Sequence, residues 1–459
     1  MPALWLDEVR ATDLETVGGK AASLGELIAT GFPVPSGFVV TADTYRDFIS
    51  ESGIKNELRT VTDIDTEDSA TLTEAQNRSH DLIMEAPMAD TIQEEVLDAY
   101  RSMNTNDEET SVAIRSSATA EDLPDASFAG QLDTYLNVTS DDLIETIKRC
   151  WASLFSRRAI HYRNQNDFPR HGGDIAVVVQ EMVTADTAGV MFTSHPSTGA
   201  HKAIVEAAWG LGEAVVSGVV SPDNYVVNRN TGAIEQVTVA DKRVKYVKSK
   251  QTGETIEVDV SEEKREQRVL SNDQLRTLVT IGERIESHYG TPQDIEWAIV
   301  DGEVFVLQSR PITTIPDRNY NESGDETATN DSRRQTRGTG DVLLEGLGVS
   351  PGVASGTVRV LENTDDLNEV TEGDVVVAEM TEPDMVPAMQ RAAGIVTDEG
   401  GMISHTAIVS RELGLPAIVG CDDATRELIH GQDVTIDGNR GTVHRDTETE
   451  PLETATSRD

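Results

Sequence analysis

The chain has 459 residues, with 81 Asp and Glu against 38 Lys and Arg, a formal net charge of -43. Such a surface repels nucleic acid and anionic membranes, and no apolar run approaches the ~20 residues that span a bilayer, so neither is an expected partner. A hydrophobic content of 37 % still supports two to four domains with a substantial core.

The acid is spread along the whole chain, and no Lys occurs after Lys264. That distribution favours adaptation to a very salty cytoplasm over an acidic patch for one partner; at molar salt a Debye length of ~3 Å screens most self-repulsion. The first residues, Met1-Pro2-Ala3-Leu4-Trp5, lack the basic and apolar regions of a secretory signal, and the expected location is the cytoplasm. Cys150 and Cys421 show no metal-ligand spacing and read as reduced thiols.

From residue 1 to 315 helical and strand-like patterns alternate. Gly18-Gly19-Lys20 offers a glycine turn and a lysine at the start of a helix over 19–30, which suits a phosphate, although a lysine at a solvated helix end is the commoner case. Ala113-Ile114-Arg115-Ser116-Ser117 delivers Arg115 from a strand into a loop rich in small hydroxyl residues, where a guanidinium can clamp phosphate oxygens. Gly130, further along, allows close backbone approach. Residues 142–163 predict one helix with Ile144, Ile147, Trp151, Leu154 and Phe155 on one face. Ile175 to Val179 predicts a short buried strand.

Ile295 to Gln308 predicts a hairpin around Asp301-Gly302. It carries Glu296 and Gln308, whose oxygens are hard ligands suited to Mg²⁺, and Arg310 follows them. A regular two-residue turn would set Glu296 and Gln308 on opposite faces. If both serve one nucleotide, a three-residue loop or a bulge is required. No G-x-x-x-x-G-K-[ST] occurs, which excludes a P-loop.

Residues 316–340 are almost wholly polar and read as a flexible linker; as a random coil, such a length reaches about 25–30 Å. A second unit follows over 341–445, with short strands at Val375 to Ala378, Gly394 to Val396, Ala417 to Val419 and Val434 to Ile436. Helical stretches are expected near 383–391 and 405–413. Residues 446–459 read as a disordered acidic tail. Within this unit, Gly400-Gly401 permits a tight turn, Ser404 is a good N-cap, and Gly414 with Pro416 stops the helix. His405 therefore sits at the first helical position. There the helix dipole disfavours a second positive charge, keeping the ring neutral and nucleophilic, and free N–H groups can receive an anion.

The segment Gly400 to Ala417 resembles the phosphohistidine motif of the phosphoenolpyruvate synthase, pyruvate phosphate dikinase and rifampin phosphotransferase family. Residues 10–314 are similar to the ATP-grasp domain that opens phosphoenolpyruvate synthase. The resemblance implies an α/β (α+β) fold, with an ATP-grasp domain at 1–315 and a small swivelling β/β/α phosphohistidine domain at 341–445. It makes His405 the phosphoryl carrier and puts ATP contacts on Lys20, Arg115, Gly130, Thr134, Gln180, Glu296, Gln308 and Arg310. Mg²⁺ would sit on Glu296 and Gln308, and Gln180 would lie near the adenine edge beside Glu181 and Met182. Trp209-Gly210-Leu211-Gly212-Glu213 also matches, without an individual role. The family's synthases continue into a (β/α)₈ barrel of ~250 residues that binds pyruvate, whereas this sequence stops about 15 residues after the second unit. The expectation is a split enzyme with a separate barrel subunit. The alternatives are a carrier for another acceptor and a non-catalytic nucleotide-binding regulator.

Overall fold

The computed structural model describes residues 2–64, 69–104, 109–119, 122–123, 126–127, 134–157, 159–160, 174–312, 341–361, 364–382, 385–402 and 404–445. Gly130, the 316–340 segment and the 446–459 tail lie outside these residues. Helices and sheets are mixed throughout, and three large sheets organise them.

The first sheet has five strands, in the order Ala3–Trp5, Gly37–Val40, Ile175–Glu181, Val112–Ala118, Thr134–Val138. Its central strand is apolar on both faces because both faces are covered. Ile175, Val177 and Val179 join one core with Trp151, Phe48 and Ile83, while Ala176 and Val178 join another with Val17, Ala21 and Leu24. The helix Leu14–Ala29 supplies that second cover. It breaks at Gly18 (φ 74°, ψ 171°), so the regular helix begins at Gly19, as the double glycine predicts.

The second sheet has six strands, in the order Ile234–Thr238, Asp223–Asn228, Lys202–Trp209, Thr187–Phe192, Gln293–Val300, Glu303–Pro311. Met191, Val205, Tyr225, Ile295 and Trp297 pack on Leu275, Leu278 and Ile285 of the helix Asn272–Tyr289. A Ser271–Gln274 capping box opens that helix, and Gly290 at φ 72° closes it. The last two strands turn at Asp301 (φ 50°) and Gly302 (φ 84°), a two-residue left-handed turn that pairs Val300 with Glu303. A bulge then leaves Leu307 as the extra residue between the pairs Trp297–Val306 and Glu296–Gln308. Of the two arrangements that can align Glu296 with Gln308, the chain uses the bulge.

The third sheet has eight strands, in the order Val342–Glu345, Thr442–Arg445, Asp433–Asp437, Val353–Leu361, Val375–Ala378, Gly394–Thr397, Ala417–Val419, Leu347–Ser350. The four central strands from Val353–Leu361 to Ala417–Val419 pair in parallel. This unit does not stand apart. Val190, Phe192 and Ile204, on the free face of the second sheet, share one core with Val376, Ile395, Met402 and Ala407.

One helix is interrupted where the sequence pattern runs on. The stretch expected as one helix over 142–163 is helical over Leu143–Ala152, passes through one 3₁₀ turn at Ser153–Phe155, breaks at Ser156 and is helical again at Arg157, Ala159 and Ile160; residues 158 and 161–163 lie outside the described residues. Ser153 turns its hydroxyl back to the Cys150 carbonyl at 2.7 Å, and Ser156 goes extended (ψ 154°) while accepting the Ala159 N–H. Serine hydroxyls thus compete with the helix ladder that apolar periodicity alone would continue. In the 383–391 stretch, of which residues 383 and 384 lie outside the described residues, Val386–Met389 is α-helical and follows a 3₁₀ residue at Met385. Both cysteines are buried and neither is in a disulfide among the described residues, and no helix among those residues is long and apolar enough to cross a membrane.

Candidate active site

Sheet register decides which side chains meet. In the second sheet Gln308, Glu296, Val190 and Glu206 are paired across four neighbouring strands, and Arg310 with Asp294 forms the adjoining pair. Directly opposed residues point to the same face, so these polar groups all stand on the face that meets the third sheet.

That face closes a cavity of about 630 Å³ with the first sheet and with the His405 helix. Lys20, Arg115, Thr134 and Gln180 line it from the first sheet and its covering helix; Glu296, Gln308 and Arg310 line it from the second; His405 lines it from the third. Eight of the nine residues singled out in the sequence therefore meet in one space, and the ninth, Gly130, lies outside the described residues.

Lys20 is held there through backbone. A Cβ at Gly18 would stand 2.1 Å from the Ser117 carbonyl oxygen, so only glycine lets this turn touch the Arg115 strand. Ser117 Oγ donates to the Val17 carbonyl at 2.8 Å and accepts the Ala21 N–H at 3.2 Å, tying the helix start to that strand. Arg115 Nη1 lies 2.9 Å from Glu296 Oε2, a link between the two sheets. Arg310 directs Nε and Nη2 onto Asp294 Oδ2 at 2.9 and 2.8 Å. Burial raises the Asp294 carboxyl above its ordinary range, and the Arg310 charge opposes that shift. Burial likewise raises Glu213, with Arg115 opposing. At the far end, Gln180, Glu181, Met182 and Val183 line the wall between the two sheets, and Ser36 Oγ donates to Glu181 Oε2 at 2.8 Å.

His405 opens the nine-residue helix His405–Leu413 as expected. Ser404 Oγ accepts the Ala407 N–H at 3.3 Å, and Gly414 ends the helix at φ 68°. The ring is half-buried, with Nδ1 2.9 Å from Thr381 Oγ1, which lies 2.9 Å from Thr406 Oγ1. The turn before the helix rests on the second sheet: the Met402 N–H donates to Glu206 Oε1 at 2.6 Å, and Arg411 Nη2 donates to the Met402 carbonyl at 2.6 Å. Ser221 Oγ adds a bond to Glu399 Oε2 at 2.7 Å. Glu206 is wholly buried, which pushes its carboxyl up to about 7; burial lowers Arg411 to about 10.

Among the described residues no group of three or more His, Cys, Asp or Glu is placed to hold a metal. Glu296 and Gln308 nonetheless present two oxygen donors from directly paired positions into the cavity. Such a pair suits Mg²⁺, which takes one or two protein ligands and completes its shell with phosphates and water.

Sequence reading did not assign roles to Thr381, Glu206, Glu213 or Arg411. Glu206 had a signal, a lone acid inside the apolar run Lys202–Trp209. Thr381 had none.

Residues 14–331 match the family described as the AMP/ATP-binding domain of pyruvate phosphate dikinase, and residues 370–441 match the mobile domain of PEP-utilising enzymes. Over 97 % of its length the chain is 49 % identical to a probable phosphoenolpyruvate synthase of Archaeoglobus fulgidus, of which it covers 58 %. It is 46 % identical over 96 % of its length to a probable phosphoenolpyruvate synthase of Methanothermobacter thermautotrophicus, covering 63 % of that protein. It is 42 % identical over 96 % of its length to the phosphoenolpyruvate synthase of Pyrococcus furiosus, covering 58 % of it. The chain thus spans less than two thirds of these curated relatives. With both family models matched in order along it, the chain belongs to the family of phosphoenolpyruvate synthase and pyruvate phosphate dikinase.

Proposed function

We propose that this chain is an ATP-dependent phosphotransferase of the phosphoenolpyruvate synthase type, and that His405 carries the phosphoryl group. The supporting observation is the shared cavity: a helix-start imidazole opens into the same space as Lys20, Arg115, Arg310, Glu296 and Gln308. A ring attacking through Nε2 needs its own proton on Nδ1, so the contact to Thr381 runs from Nδ1–H to Oγ1, and Thr381 O–H passes on to Thr406.

His405 Nε2 attacks the β-phosphorus of ATP. The bond from that phosphorus to the α,β-bridging oxygen breaks, and AMP leaves with the electron pair. The γ-phosphoryl group is then lost to water or orthophosphate, leaving one phosphoryl on the ring. Lys20 and Arg115 hold phosphate oxygens, Arg115 exchanging its Glu296 partner for phosphate, and Arg310 is kept in aim by Asp294. Gln180 with Glu181 and Met182 borders the adenine, and Thr134 closes the wall beside Arg115. Glu296 and Gln308 would hold Mg²⁺, which neutralises charge on the phosphates. The third-sheet unit then carries the phosphoryl group on the 316–340 tether to pyruvate, at a barrel outside these 459 residues. A purely regulatory nucleotide binder would need neither the oriented ring nor its place in the cavity.

With Mg²⁺ and ATP labelled at the β-phosphorus, the protein should acquire acid-labile label and release AMP. His405→Ala should acquire none. ADP as the sole nucleotide product, or full labelling of His405→Ala, refutes the proposal.

A further inference from the structure

The bond between Met402 and Glu206 joins the turn ahead of His405 to the second sheet, and its acceptor is unusual. Glu206 lies in the interior of the strand Lys202–Trp209, is 0 % exposed, and accepts a short backbone hydrogen bond from the Met402 N–H. Its second oxygen, Oε2, is buried without a hydrogen-bond partner among the described residues. The double-glycine turn is the lid: a Cβ at Gly401 would stand 2.7 Å from Oε1 and 2.9 Å from Oε2. Three neighbours complete the surroundings. Arg411 of the His405 helix favours the carboxylate but spends its closest bond on the Met402 carbonyl; Asp294 of the neighbouring strand opposes the carboxylate and is itself neutralised by Arg310; Asn224, paired with Glu206 across the sheet, favours the carboxylate through its side-chain amide, and burial outweighs it.

A buried, half-satisfied carboxylate is costly, and protonation removes that cost. We infer that Glu206 is a proton-linked latch: its carboxyl takes a proton from solvent when the Gly400-Gly401-Met402 turn closes over it, and returns the proton when the turn departs. The inference rests on the proposed swing of the His405 unit, since only departure re-exposes the group to water. Burial holds the docked carboxyl near 7 against an ordinary 4.5. The docked form therefore binds the extra proton across that window. Its formation constant falls about tenfold per pH unit from 4.5 to 7, on the order of a hundredfold or more in all, and levels off above 7. Docking, and with it loading from ATP, is favoured in the more acidic half of this range; release is favoured in the alkaline half.

Two readings on the full chain test this. Infrared difference spectra should show a buried protonated-carboxyl band at about pH 6 that fades as pH rises through 7 and is missing from Glu206→Gln. Small-angle scattering should show the docked population falling over the same pH range in the wild type. Glu206→Gln keeps the acceptor oxygen without the charge, so its population should stay flat. A wild type without the band, equal pH slopes in the two proteins, or a scattering profile unchanged at every pH overturns the latch. Neither reading uses ATP, so loss of His405 labelling would count against the phosphotransfer reading alone.

Discussion

Thr381→Val removes one hydroxyl from beside the proposed carrier and leaves the volume nearly unchanged. Thr381 is 5 % exposed and its Oγ1 stands 2.9 Å from both His405 Nδ1 and Thr406 Oγ1. A net hydrogen bond of this kind contributes about 0.5–1.5 kcal/mol. If the Nδ1 contact holds the ring with its lone pair on Nε2, losing it slows labelling of His405 by about 2- to 13-fold. The buried Thr406 hydroxyl also loses a partner, costing about 1 kcal/mol of stability. The assay is single-turnover quench of β-labelled ATP, with Thr381→Ser beside Thr381→Val. The serine variant keeps the hydroxyl and should restore most of the rate, whereas a purely steric role for the threonine methyl, which valine retains, would leave Thr381→Val at the wild-type rate and slow Thr381→Ser instead. An unchanged rate in Thr381→Val, with ATP saturating, would show that Nδ1 needs no partner for phosphoryl capture.

Two further outcomes follow from the same geometry. Gly18→Ala forces a side chain onto φ 74° and ψ 171° and into the Ser117 carbonyl, so it should cost about 2 kcal/mol or more in urea denaturation and weaken ATP binding through Lys20. Gly31→Ala, with φ 80° but open space around it, should cost only the backbone strain, and equal losses in the two variants would remove the close approach from the account. Gln308→Leu deletes one oxygen donor at nearly constant volume and should raise the Mg²⁺ concentration for half-maximal labelling by about tenfold, the equivalent of 1.4 kcal/mol. An unmoved Mg²⁺ dependence would take Gln308 out of the metal's shell.

Much of the site was legible because its determinants are local. The His405 helix needs only Ser404, the run to Leu413 and Gly414, and the structure starts and stops it at those residues. The strands Val375–Ala378 and Ala417–Val419 are continuous apolar runs between turn signals, and they form with those bounds. The break at Ser153–Ser156 inside the helix expected over 142–163 escapes the sequence pattern because apolar spacing cannot register a serine hydroxyl turning back on its own helix. At the 295–308 hairpin the sequence posed the alternatives, and Leu307 decided between them.

By itself, then, the sequence determined the acidic surface, the elements with strong local signals and the residue types suited to phosphate and Mg²⁺, all properties of neighbours along the chain. Folding decided that Arg115 meets Glu296 across 181 residues, that Thr381 meets the His405 ring, and that Met402 meets Glu206 across 196 residues. Those meetings depend on strand register and on one sheet packing against another. Both are set by the summed burial of whole faces, a quantity that no short stretch of sequence contains.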